Sequence, residues 1–93
     1  MKIYEDKFGR LIWLSISPSE IRVDLQDLNP EFEYERCASV KNVNDLCTVL
    51  RIHFDDLEAN LLMLLQNQGN AVDLFIKYLD EHQISFAYYS GIR

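Results

Sequence analysis

Glu20-Ile21-Arg22-Val23-Asp24-Leu25-Gln26 alternates strictly between polar and apolar residues, with β-branched Ile21 and Val23 on the apolar side. A period of two places Ile21, Val23 and Leu25 on one face of a strand and the charged residues on the other. The residues just before it pull the other way. Ser17-Pro18-Ser19-Glu20 has the form of a helix capping box with proline at the first helical position, so residues 18–28 also admit a helix. Alternation over seven residues is the stronger signal, and a strand is the favoured reading.

Working outward, the whole first part reads as β-structure. Lys2 to Glu5 is a short strand candidate, and Asp6-Lys7-Phe8-Gly9 is a hairpin loop in which Gly9 is available for a positive φ. Arg10 to Ser17 contains Leu11-Ile12-Trp13-Leu14, apolar on both faces as a central strand is. Leu28-Asn29-Pro30 makes a turn, and Glu31-Phe32-Glu33-Tyr34-Glu35-Arg36 alternates again as a further strand. Near residue 40 the apolar spacing becomes helical. Asn44 or Asn42 can cap a helix bearing Leu46, Val49, Leu50 and His53. Asp55-Asp56 puts negative charge at the start of a second helix, which presents Leu57, Leu61, Leu64 and Leu65 and ends at Gln66-Asn67-Gln68-Gly69. Asn70 caps a third helix with Ala71, Leu74, Phe75, Tyr78, Leu79 and His82 on one side, and Ile84 to Tyr89 closes the chain as an aromatic strand. The expectation is a single α+β domain over residues 1–93. An N-terminal antiparallel β-meander comes first, two to three helices pack on one face, and a C-terminal strand joins the sheet.

Composition narrows the function. Nine Lys and Arg stand against fifteen Asp and Glu, a net charge of −6. That balance argues against direct nucleic-acid binding and against an anionic membrane surface, both of which need surplus cations. Residues 1–6, Met-Lys-Ile-Tyr-Glu-Asp, lack the apolar stretch of a signal peptide, and the longest apolar run, Leu61 to Leu65, is far short of the roughly 20 residues of a spanning helix. A cytoplasmic protein is expected, with Cys37 and Cys47 as reduced, partly buried thiols.

Sites for chemistry are sparse. There is no glycine-rich phosphate loop, no Cys-x-x-Cys, no His-Glu-x-x-His and no Gly-x-Ser-x-Gly. His53-Phe54-Asp55-Asp56 has metal-like chemistry, but its acids are better explained as the first turn of a helix. His82 suits a helix C-terminus. No catalytic residue, metal or cofactor is expected.

Charge distribution carries more information. Residues 20–35 hold Glu20, Asp24, Asp27, Glu31, Glu33 and Glu35 against Arg22 alone, a local net of −5, whereas the other seventy-seven residues carry −1. On a strand Glu31, Glu33 and Glu35 share one face at ~6–7 Å intervals, with Phe32 and Tyr34 turned toward the core. One explanation is a solvated face that also guards a sheet edge. The other is a docking surface for a basic partner, where complementary fields speed association.

A small, acidic, single-domain chain without catalytic motifs resembles bacterial immunity proteins, in particular those of contact-dependent growth inhibition and related polymorphic toxin systems. Asp55-Asp56-Leu57-Glu58-Ala59-Asn60-Leu61, then Asn70-Ala71-Val72-Asp73-Leu74-Phe75, then Ile84 to Tyr89 is similar in layout to barstar over residues 43–89. The β-rich first forty residues depart from that pattern, so no inhibitory residue is carried over. The resemblance implies a non-enzymatic, monomeric inhibitor of a basic toxin domain, a nuclease by preference. Contacts are expected from the chain's own acids, Asp24, Asp27, Glu31, Glu33 and Glu35, with Tyr34, Asp55 and Asp56 joining if the surface curves. The alternative is a small regulatory or adaptor domain that pairs or dimerises through a strand edge or through Leu61 to Leu65.

Overall fold

The structure, a computed structural model, describes residues 1–28 and 33–92. Five strands, β1 (Lys2–Glu5), β2 (Arg10–Ile16), β3 (Ile21–Leu28), β4 (Glu33–Val40) and β5 (Ala87–Ile92), form one antiparallel sheet in the order β1-β2-β3-β4-β5. Three helices, α1 (Val43–Leu50), α2 (Phe54–Leu65) and α3 (Ala71–Glu81), all lie between β4 and β5 in the chain. This is the α+β meander expected from the alternation.

Two hairpin turns among the described residues show why the strands begin where they do. Asp6 Oδ1 accepts the backbone N–H groups of Phe8 at 2.9 Å and Arg10 at 3.1 Å, closing an Asx-type turn. Gly9 sits at φ +95°, and a Cβ there would lie 2.5 Å from the Leu28 carbonyl oxygen, so both conformation and space demand glycine. At the second turn Ser17 Oγ accepts from the backbone of Ser19 and Glu20 at 3.3 and 3.1 Å, and Ser17 N–H donates to Glu20 O at 2.9 Å. The serine that resembled a helix cap therefore caps a turn. The hydroxyl chemistry is the same in both cases, and strand pairing of the next eight residues decides between them.

Register divides the sheet into two unlike faces. Ile12↔Leu25, Leu14↔Val23, Ile21↔Val40 and Val23↔Ala38 are cross-strand pairs, and all of these residues are buried under the helices. Leu46 of α1, Leu57, Leu61 and Leu65 of α2, and Ala71, Val72, Phe75 and Leu79 of α3 complete that core. Leu62 and Leu64 pack against it as well, so the leucine-rich run is committed to the interior and only Met63, 89% exposed, projects from it. This removes Leu61 to Leu65 as a contact surface for an adaptor.

Three further expectations change in detail. The closing strand starts at Ala87 rather than Ile84. Gln83 takes φ 56°, Ile84 N–H donates back to Leu79 O at 2.9 Å, and Ile84 is buried as the apolar plug after the end of α3. Asn42 and Asn70 occupy the N-cap positions of α1 and α3 without a side-chain capping bond. Strands β3 and β4 are interior, with β1 and β5 at the edges, so the acids of residues 20–35 that the structure describes guard no edge. His82 stands at the C-terminus of α3 as expected, its Nδ1 2.9 Å from the Tyr78 carbonyl oxygen. No helix among the described residues is long and apolar enough to cross a membrane.

A candidate binding face

The second face of the sheet is built from the residues between the buried ones. Cross-strand pairing runs Trp13↔Asp24↔Cys37↔Tyr89 straight across β2 to β5. Beside this row lie Leu11↔Gln26↔Glu35↔Gly91, and on its other side Ser15↔Arg22↔Ser39↔Ala87. The helices cover only the opposite face. A hollow of about 640 Å³ opens here, lined by Trp13, Asp24, Gln26, Glu35, Cys37 and Tyr89 among others. Trp13 and Tyr89 stand three strand spacings apart, ~14 Å, as two aromatic walls with polar and acidic groups between them.

Arg22 organises the floor. Its guanidinium donates to Asp24 Oδ1 at 3.0 Å and to Cys37 Sγ at 3.3 Å, and its Nε lies 3.4 Å from Glu20. Burial pushes the Cys37 thiol above its ordinary pKa, and the Asp24 carboxylate, which accepts from the thiol, adds to the shift. Cys37 is therefore a protonated donor within the row. Both cysteines are free and partly buried, Cys37 on this face and Cys47 packed against the core.

The sequence-derived contacts fall into groups. Asp24 and Glu35 line the hollow together, and Glu33 continues the same face beyond Glu35, opposite exposed Leu28. Asp27 and Tyr34, a cross-strand pair, have the parity of the covered face. Asp27 is held there by Arg10 through two bonds of 2.7 and 2.8 Å, while Arg10 also donates to Gly69 O at 2.9 Å. Asp27 thus steadies the Arg10 side chain that ties the sheet to the connection before α3, and neither Asp27 nor Tyr34 has the parity of the open face. Glu31 lies outside the described residues. Asp55 and Asp56 sit exposed in the first turn of α2, where Asp55 lines a second hollow of about 540 Å³ with Phe54 and Glu58. Met1 and Ser15 border both hollows, because Met1 lies level with Leu14 and the far end of β2 is paired only with β3 among the described residues. The surface does curve, and it reaches Asp55 around that edge.

Trp13, Arg22, Gln26, Cys37 and Tyr89 were not singled out from the sequence. A signal existed in Leu11-Ile12-Trp13-Leu14, which is apolar on both faces. A central strand of that kind is normally covered on both sides. Here no described residue packs over the second side, so half-buried Leu11 and Trp13 are apolar residues on an open face.

A shallow depression between α1 and α2 brings Cys47 and His53 to one rim, and no hydrogen bond joins them among the described residues. No group of three or more His, Cys, Asp or Glu side chains is placed to hold a metal ion among the described residues. Comparison of the chain with family models, with curated proteins and with solved structures returns no match.

Proposed function

We propose that this chain is an immunity-type inhibitor that binds a basic toxin domain, a nuclease by preference, and occludes its active site through the open face of the sheet. The observation that carries the reading is the uncovered face itself. It joins Asp24, Glu33 and Glu35 to two aromatic side chains, the mixture of anchors and charge that interfaces concentrate. The overall charge of −6 supports it, since a nucleic-acid-cleaving enzyme carries the cationic surface that such a face complements. Function by occupancy needs no catalytic group of its own.

The experiment is co-expression with the C-terminal region encoded by the reading frame immediately upstream, followed by stopped-flow association. Co-purification of the two chains is expected, with Asp24→Lys plus Glu35→Lys slowing association about tenfold and flattening its salt dependence. Failure to co-purify, or association unchanged by the double reversal, overturns the proposal.

A further inference from the structure

The two edges of the sheet are built differently. β1 is four residues long, carries Lys2 and Glu5 joined at 3.1 Å, and has a register shift between Lys2 and Tyr4. Its carbonyl at Ile3 is already taken by the backbone N–H of Asn67, at 2.9 Å, from the α2–α3 connection. Charge, irregularity and a covering loop are the standard ways of closing an edge to further strands. Among the described residues β5 has none of them. Ala87-Tyr88-Tyr89-Ser90-Gly91-Ile92 contains no charged residue and no proline, and it pairs with β4 in unbroken register from Ala87 to Ile92. Among the described residues β4 is its sole strand neighbour. Tyr88 and Tyr89 are 45% and 56% exposed.

We infer that β5 is an association edge, and that its occupant is β5 of a second copy of this chain, paired antiparallel across a two-fold axis into one continuous sheet. Charge selects the occupant. A basic partner gains nothing from a neutral strand, because the acids lie on the sheet face and not along this edge. A neutral aromatic strand is matched by another of the same kind. An axis through Tyr89 sets the two Tyr89 side chains opposite each other, Tyr88 opposite the partner's Ser90, and Ala87 opposite the partner's Gly91. Bulky residues off the axis thus meet small ones, and aromatic cross-strand pairing stabilises the centre. The same axis keeps both helical layers on one side and both open faces on the other.

Net charge argues for a monomer, and its distribution removes that objection. Glu35, the acid nearest β5, is cross-strand from Gly91. In the dimer two β5 strands separate it from its symmetry mate, at least ~14 Å by strand spacing. That exceeds the ~8 Å screening length at physiological ionic strength, so the acidic faces do not hold the copies apart.

Sedimentation equilibrium of the purified full chain, up to about 1 mM, tests this without any toxin, so its outcome is independent of the inhibitor proposal. The expected result is a concentration-dependent rise from the 11.0 kDa monomer toward twice that mass. Tyr89→Lys and Tyr89→Glu, each of which sets like charges directly opposite at the axis, weaken the dimer at least about tenfold. Tyr89 is 56% exposed, and an equimolar mixture of the two variants, which sets Lys opposite Glu, regains the dimer. A mass fixed at 11.0 kDa throughout the range overturns the inference. So does a dimer that folded Tyr89→Lys and Tyr89→Glu leave unchanged.

Discussion

Replacing Arg10 and Asp27, singly and together, measures how strongly this pair couples β2 to β3 while Arg10 reaches the connection before α3. The geometry is bidentate, with Nε and one terminal guanidinium nitrogen meeting the two carboxylate oxygens at 2.7 and 2.8 Å. The side chains retain 37% and 25% exposure, so the pair is neither fully solvated nor buried. Exposed ion pairs are worth ~0.2–1 kcal/mol, and hydrogen bonds to charged groups reach ~1.5–3 kcal/mol when water is excluded. Intermediate exposure with fork-on-fork geometry places the coupling at about 1 kcal/mol. Arg10 also donates to the Gly69 carbonyl just before α3, so Arg10→Ala loses roughly 1 kcal/mol more than Asp27→Ala. For a domain of this size each kcal/mol lowers Tm by about 4–8 °C. Urea melts of the wild type, Arg10→Ala, Asp27→Ala and the double variant give the coupling directly. Values that add within about 0.3 kcal/mol would show that the pair does not couple β2 to β3. Equal losses from the two single variants would remove the Gly69 bond from the account.

Acid denaturation should report two other carboxylates. The backbone N–H of Arg10, with help from the Tyr4 hydroxyl, holds Asp6 below the usual carboxylate range, and the Arg36 guanidinium does the same for Asp73. Groups with depressed folded pKa stabilise fully above their unfolded value, near pH 4, and lose that contribution as pH falls through the folded value. Stability followed from about pH 5 to 2 should therefore fall less steeply in Asp6→Asn plus Asp73→Asn; a limb as steep as wild type refutes the assignment. The Cys37 thiol, pushed up by burial and by Asp24, should alkylate more slowly at pH 8 than in Asp24→Asn, and equal rates would remove Asp24 from the cause.

Much of the fold was legible because it depends on local periodicity. The alternation at 20–26 places Ile21, Val23 and Leu25 on the buried face, and the helical spacing of Leu57, Leu61 and Leu65 places them opposite. Reading failed where one local chemistry serves two structures. Ser17 makes the same hydroxyl bonds at a turn as at a helix start, and Ile84 looks like the first residue of a strand because it is apolar, although it closes a helix. The site was half legible. Alternation separates Asp24 from its neighbours, but parity also puts Asp27 on the wrong side of β3, where Arg10 claims it.

What the sequence by itself determined is the α+β class, the faces of the strands, and an acid excess confined to sixteen residues. These follow from side-chain period and from charge, which need no partner in space. Strand order was decided only by the tertiary structure, since it depends on which edges long-range pairing leaves free. By making β3 and β4 interior, that order set Asp24 and Glu35 in the middle of an open face and not at an edge, walled by Trp13 and Tyr89, seventy-six residues apart. It also left the neutral strand β5 at the rim, with β4 as its sole strand neighbour among the described residues.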